Sequence, residues 1–156
     1  MLLPNCSGAD RESKVGDGGS ASADGGDDGS ASGGACEAAC IAGTATLMFA
    51  FSVYPQLKSV GGSAVGRAIG YSDPLCHVDV IIVAQTSAGT YAAFSASCPH
   101  ECCTIGYNKT HAEFVCPCHG STFDGTGRVT GGPAPRGLSP LPVCTDECGV
   151  YVSTRS

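Results

Sequence analysis

The sequence predicts an all-β fold, a sandwich or barrel, and three observations carry that expectation. No window shows a helical period. Apolar residues come in short runs that either alternate with polar ones or are rich in Val and Ile. Clusters containing Gly, Pro, Asn or Ser separate those runs. Leu47, Phe49, Phe51 and Val53 alternate with Met48, Ala50 and Ser52, which predicts a first strand followed by a turn at Tyr54-Pro55-Gln56-Leu57. A short strand is expected around Ala64–Ile69. Val78–Ala84 reads as a buried strand, and Gln85-Thr86-Ser87-Ala88-Gly89 as the hairpin turn after it. Thr90–Ser95 and Glu113–Cys116 are strands, with Asn108-Lys109-Thr110 as the turn between them. Val129, Leu141–Cys144 and Gly149–Ser153 supply the remaining short strands. The apolar-leaning stretch Ala38–Tyr54 contains Gly43, Thr44, Thr46 and Ser52. It falls short of the roughly 20 apolar residues that cross a bilayer, so it is read as domain rather than as a membrane span.

Composition divides the chain in two. Gly16 to Gly34 holds only Gly, Ser, Ala and Asp, with Gly-Ser-Ala-Ser occurring at Gly19 and again at Gly29. Such a stretch has nothing to bury, so residues 1–34 are expected to be a disordered tail or tether and residues 35–156 the folded domain. Residues 1–34 also carry six acidic and two basic side chains, most of the formal net charge of −6. The domain is therefore nearly neutral, and no basic patch points to nucleic acid. Met1–Asn5 has no basic region and no apolar stretch follows it, which is not a signal peptide. Cys6, followed by Ser7-Gly8-Ala9-Asp10 and the linker, looks like the start of a mature lipoprotein, although Leu3-Pro4-Asn5 is a poor lipidation box.

Chemistry concentrates in two segments 18 residues apart, Cys98-Pro99-His100-Glu101-Cys102-Cys103 and Cys116-Pro117-Cys118-His119-Gly120-Ser121. Cys98 with His100, and Cys116 with His119, each project from one turn towards a common point. Thiolate and imidazole suit soft or borderline metals. Two of each fit either a tetrahedral zinc or a 2Fe–2S cluster with imidazoles on one iron.

These segments resemble the Rieske pattern C-x-H-x-x-C … C-x-C-H-G-S, in the form found in iron–sulfur subunits of cytochrome bc-type complexes. Gly131-Gly132-Pro133-Ala134-Pro135-Arg136 is similar to that family's proline loop, and Gly125–Val129 to the turn and strand before it. The resemblance runs from about Thr44 to Val152. It implies a β-sandwich base with a small cluster-binding lobe and one 2Fe–2S cluster held by Cys98, His100, Cys116 and His119. It further implies a disulfide between Cys103 and Cys118 bracing the two loops. Gly120, Ser121, Phe123, Gly132 and Pro133 fall around the cluster. Ser121 occupies the position of a serine that donates to a bridging sulfide. Phe123 stands where high-potential members carry a tyrosine that donates to a ligating cysteine, which predicts an intermediate potential. Cys102 stands where the family commonly has glycine.

The implied function is one-electron transfer, as a carrier or subunit of a respiratory or quinol-oxidising system. The alternatives are the iron–sulfur component of another multi-subunit oxidoreductase, or a structural zinc module. A self-contained oxygenase is not expected. It would need a second iron held by histidines and a carboxylate, and only His77 and His111 remain for it. The expected partner is a redox protein, with a quinone link and an N-terminal membrane tether both open to the chain. Eleven cysteines in 156 residues argue for an oxidising, exported location. Removing the two cysteine ligands and the implied disulfide leaves Cys6, Cys36, Cys40, Cys76, Cys102, Cys144 and Cys148. Cys36/Cys40 and Cys144/Cys148 flank the predicted domain and are expected to staple its ends.

Overall fold

The computed structural model describes residues 46–154. The predicted boundary near residue 34, the linker and the cysteines at 6, 36 and 40 lie outside these residues. Eleven strands form three antiparallel sheets: β1 (Thr46–Ala50), β2 (Ser63–Arg67), β3 (Val80–Ser87), β4 (Thr90–Ser95), β5 (Gly106–Asn108), β6 (Glu113–Val115), β7 (Thr122–Phe123), β8 (Val129–Gly131), β9 (Pro140–Leu141), β10 (Val143–Thr145) and β11 (Gly149–Ser153). The sheet orders are β1-β11-β10, β2-β3-β4-β9 and β5-β6-β7-β8. The fold is all-β. Among the described residues, no helix is long and apolar enough to cross a membrane.

The middle sheet is covered on both faces, which explains why β3 reads as an unbroken apolar run. Ile81 and Val83 point one way, packing with Phe49, Leu57, Val150 and Val152. Ile82 and Ala84 point the other way, packing with Phe94, Phe114 and Phe123. This second core also contains Cys98 and Cys116. The hydrophobic layer that joins the third sheet to the sandwich is thus the floor of the cysteine-bearing loops.

Several strand limits differ from the sequence reading. The first strand stops at Ala50, opposite Gly149. Its partner strand runs out there, in a turn where Asp146 Oδ1 accepts N–H bonds from Cys148 and Gly149. Phe51–Val53 therefore belong to a turn, and Pro55–Lys58 form a 3-10 turn with Pro55 leading. Gln85–Ser87 continue β3 through a bulge, so the reversal needs only Ala88 and Gly89, the latter at φ +71°. The expected strand Leu141–Cys144 is two strands. Pro140–Leu141 pairs with β4, and Val143–Thr145 pairs with β11. The chain changes sheets at Pro142, which has no N–H to continue a ladder. Strands β5 and β7, three and two residues long, were not predicted, being too short to show an alternation.

Candidate metal centre

Both cysteine–histidine loops are presented at strand ends. Strand β4 runs through Ala96 and Ser97 into Cys98, and the bridge between Ser97 and Thr104 closes the base of this first loop. Strand β6 runs into Cys116, and the second loop returns directly into β7. The backbones of the two loops repeat one pattern. Cys98 N–H donates to Cys103 O at 2.8 Å, and Cys102 N–H to Cys98 O at 2.8 Å. Cys116 N–H donates to Ser121 O at 2.8 Å, and Gly120 N–H to Cys116 O at 3.1 Å. In each loop the residue four beyond the first cysteine takes a left-handed conformation, Cys102 at φ +59° and Gly120 at φ +72°. Glycine adopts this region freely, whereas a residue with a Cβ pays roughly 1–2 kcal/mol for it.

The four residues with metal-binding side chains fall into two pairs. Cys98 and Cys116 are buried free thiols. Burial pushes the Cys98 thiol up, and the neighbouring Cys116 raises it further. As thiolates, cysteines are soft metal ligands. His100 and His119 stack edge to face with ring centroids 4.9 Å apart. Glu101 joins them, its Oε2 lying 3.6 Å from His119 Nδ1. His100 Nδ1 is buried without a hydrogen-bond partner. An orphaned imidazole nitrogen costs about 1–3 kcal/mol of desolvation unless something coordinates it. This atom, with the two thiols, makes the donor set fit a mixed Cys/His metal group. His77 and His111, by contrast, are exposed, and His111 faces Glu113 at 3.3 Å.

Covalent ties hold the loops. Cys103 and Cys118 are disulfide-bonded across 15 residues, a closure worth about 3 kcal/mol in the chain-entropy model. A second bridge, Cys76–Cys102, spans 26 residues and is worth about 3.5 kcal/mol by the same relation. The sequence assigns Cys102 no role and does not reveal its partner. The signal available was a cysteine at a glycine-like position together with surplus cysteines, but nothing in spacing selects Cys76. Cys144 and Cys148 each take part in a disulfide. Their expected pairing with Cys36 and Cys40 lies outside the described residues.

A third segment closes over the second loop. Ser121, fully buried, accepts the Ala134 N–H on its Oγ at 3.1 Å. That bond leaves the hydroxyl proton free to donate elsewhere. Gly132 has φ +83°, and a Cβ placed there would lie 2.5 Å from Ser121 Cα and 2.8 Å from Gly120 O. The segment can approach this closely only because residue 132 has no side chain. Pro133 beside it is exposed, while Ala134 is buried. Phe123 is fully buried opposite Phe114 in the β6–β7 pair.

A β-sandwich carrying two disulfide-tied loops, with paired thiols and paired imidazoles, is the architecture of a metal-binding domain of the mixed Cys/His class. A family model described as the Rieske [2Fe-2S] domain matches residues 58–143, and the chain belongs to that family. Its cofactor is one Rieske-type 2Fe–2S cluster. The chain is 38% identical over 74 residues to a cytochrome b6-f complex iron-sulfur subunit of Synechococcus sp. (strain CC9605), covering 47% of this chain and 41% of that relative. It is 42% identical over 59 residues to cytochrome b6-f complex iron-sulfur subunit 1 of Nostoc sp. (strain PCC 7120), covering 38% of this chain and 33% of that one. The matched region thus spans less than half the length of these relatives. Among solved structures, the ferredoxin of carbazole 1,9a-dioxygenase from Nocardioides aromaticivorans IC177 superposes with a TM-score of 0.52 at 20% identity, covering 69% of this chain and 98% of that one. At that identity the likeness is one of fold.

Proposed function

We propose that Cys98, Cys116, His100 and His119 hold the cluster and that the domain transfers one electron at a time to a protein partner. The observation that carries this reading is the pairing of two buried thiols with two adjacent imidazoles, one of them presenting a buried, unpartnered Nδ1. When bound, the cluster supplies a single-electron acceptor whose potential neutral imidazole ligands raise relative to an all-thiolate centre. The residues of the chain do the rest. Cys98 and Cys116 anchor from the apolar floor, Ser121 offers a hydroxyl proton towards the site, and the Cys103–Cys118 disulfide keeps the loops from parting. His119, with a side chain 46% exposed, forms the surface at which a partner makes contact.

The partner we propose is a quinol-oxidising membrane complex, on the extracytoplasmic side. The cytochrome b6-f membership stated in the relatives' names supports this, as does the density of disulfides, which suits an oxidising compartment. Residues 1–34 then form a tether distinct from the domain at 35–156, linking it to the membrane. Electron paramagnetic resonance of the reduced protein tests the centre. Nitrogen couplings from two imidazoles are expected, one of them lost in His100→Ala and the other in His119→Ala. A colourless, zinc-loaded protein, or couplings indifferent to both substitutions, would overturn the assignment. Shortening Gly16–Gly34 tests the tether, because slower transfer to the partner is expected and an unchanged rate rejects a part for the tether in transfer.

A further inference from the structure

The two cluster loops share a backbone pattern but carry different residues at its left-handed corner. Where the second loop has Gly120, the first has Cys102, in the same left-handed conformation. Its sulfur is bonded to Cys76, with the two Cα atoms 5.5 Å apart. Cys76 is itself held firmly. Asp73, 2% exposed, accepts the N–H groups of Leu75 and Cys76 on Oδ1 at 2.9 and 2.7 Å. The turn is closed by Asp73 N–H to Val78 O at 2.8 Å and His77 N–H to Asp73 O at 2.9 Å. This turn leads directly into β3, the centre of the sandwich. Cys76 Sγ also lies 4.0 Å from Cys98 O, the carbonyl that accepts the Cys102 N–H.

We infer that Cys76–Cys102 is a second lock on the first cluster loop, one that fixes the position of His100. The two half-cystines Cys102 and Cys103 are adjacent and are pulled in different directions. Cys103 ties the loop to its partner loop, and Cys102 ties it to the base of the sandwich. Residues 99–101 are then closed between an anchored Cys98 and an anchored Cys102, which leaves the His100 backbone little room to move. A loop tied only through Cys103 could swing together with the second loop, because that bridge connects two parts of the same lobe. The bond to Cys76 removes this motion. Cys102 and Cys76 are therefore positioning residues, acting on the site through the loop.

The test uses the paired variant Cys76→Ser/Cys102→Gly in the full chain, since glycine keeps the left-handed conformation without the bond. Amide hydrogen exchange at residues 100–102 is expected to rise at least tenfold, with β3 and β11 unchanged. Loss of iron from the reduced protein to a chelator is expected to quicken several-fold. The imidazole nitrogen couplings should broaden or shift. Val150→Ala, a cavity in the distant core, serves as the control that lowers general stability without touching the loop. Exchange that stays at the wild-type rate in residues 100–102, or rises equally in β11, overturns the inference and leaves the bridge a general staple. The role of His100 as a ligand rests on the function proposed above. It fails separately, through absent nitrogen couplings in the wild type, whereas the hold on the loop is read from exchange without reference to iron.

Discussion

Replacing Gly132 with alanine separates two costs that usually arrive together. Gly132 and Gly120 have nearly the same backbone, φ +83° and +72°. A Cβ at Gly120 meets nothing within 4 Å, whereas one at Gly132 lies 2.5 Å from Ser121 Cα and 2.8 Å from Gly120 O and Ser121 N. Gly120→Ala should therefore cost only the left-handed penalty, about 1 kcal/mol. Gly132→Ala adds an overlap of roughly 1 Å against an ordinary contact of about 3.5–4 Å. The obstructing atoms are backbone and cannot rotate away. Overpacking of this kind costs about 1–3 kcal/mol, so the total is about 2–4 kcal/mol. At roughly 4–8 °C per kcal/mol for a small domain, thermal melting should fall by about 5 °C in Gly120→Ala and by 10 °C or more in Gly132→Ala. Displacing the segment also lengthens the Ala134 N–H to Ser121 Oγ bond, so Gly132→Ala should lose iron faster. Equal melting temperatures for the two variants would refute the close-approach argument.

Ser121→Ala leaves the Ala134 N–H buried without its acceptor, and a loss of about 1–3 kcal/mol is expected in chemical denaturation. Ser121→Thr, which keeps the oxygen, should recover part of it if the methyl group fits. Phe123→Tyr adds a donor at the position discussed for high-potential relatives, and a redox titration should show the potential rise. A hydrogen bond of about 1 kcal/mol corresponds to roughly 40 mV for one electron, and an unchanged or lower potential rejects the expectation. Burial, with the nearby Asp146 carboxylate adding to it, pushes the Tyr151 hydroxyl up to about 12. A phenol whose folded value exceeds its unfolded value near 10 contributes stability that is intact below about pH 10. That contribution is lost as the pH rises towards 12, so wild-type melting should fall across that window more steeply than in Tyr151→Phe.

The candidate metal-binding segments were legible because their chemistry is local. A Cys-x-His and a Cys-x-x-His pair can converge from single turns, so residue type and spacing mark the two segments as metal-binding candidates, and the resemblance to the Rieske pattern proposes Cys98, His100, Cys116 and His119 as the ligands. Strands β4 and β11 were legible for a similar reason, being bounded by turn residues and rich in strand formers. The limits of β1 and the split at Pro142 were not, because where a strand ends depends on how long its partner continues. Chemistry of side chains and local backbone preference thus belonged to the sequence: the all-β class, the paired ligand types and the glycines able to turn.

Tertiary structure alone decided which distant residues meet. Nothing in the stretch between Cys76 and Cys102, 26 positions apart, encodes their pairing. It arises because the turn built on Asp73 and the left-handed corner of the first loop are brought together by packing on β3 and β4. The same packing buries Cys98 and Cys116 in an apolar floor, leaves His100 Nδ1 without a partner and sets Gly132 against the backbone of the second loop. Sequence supplies groups and their local reach. Proximity across the chain is a property of the packed core.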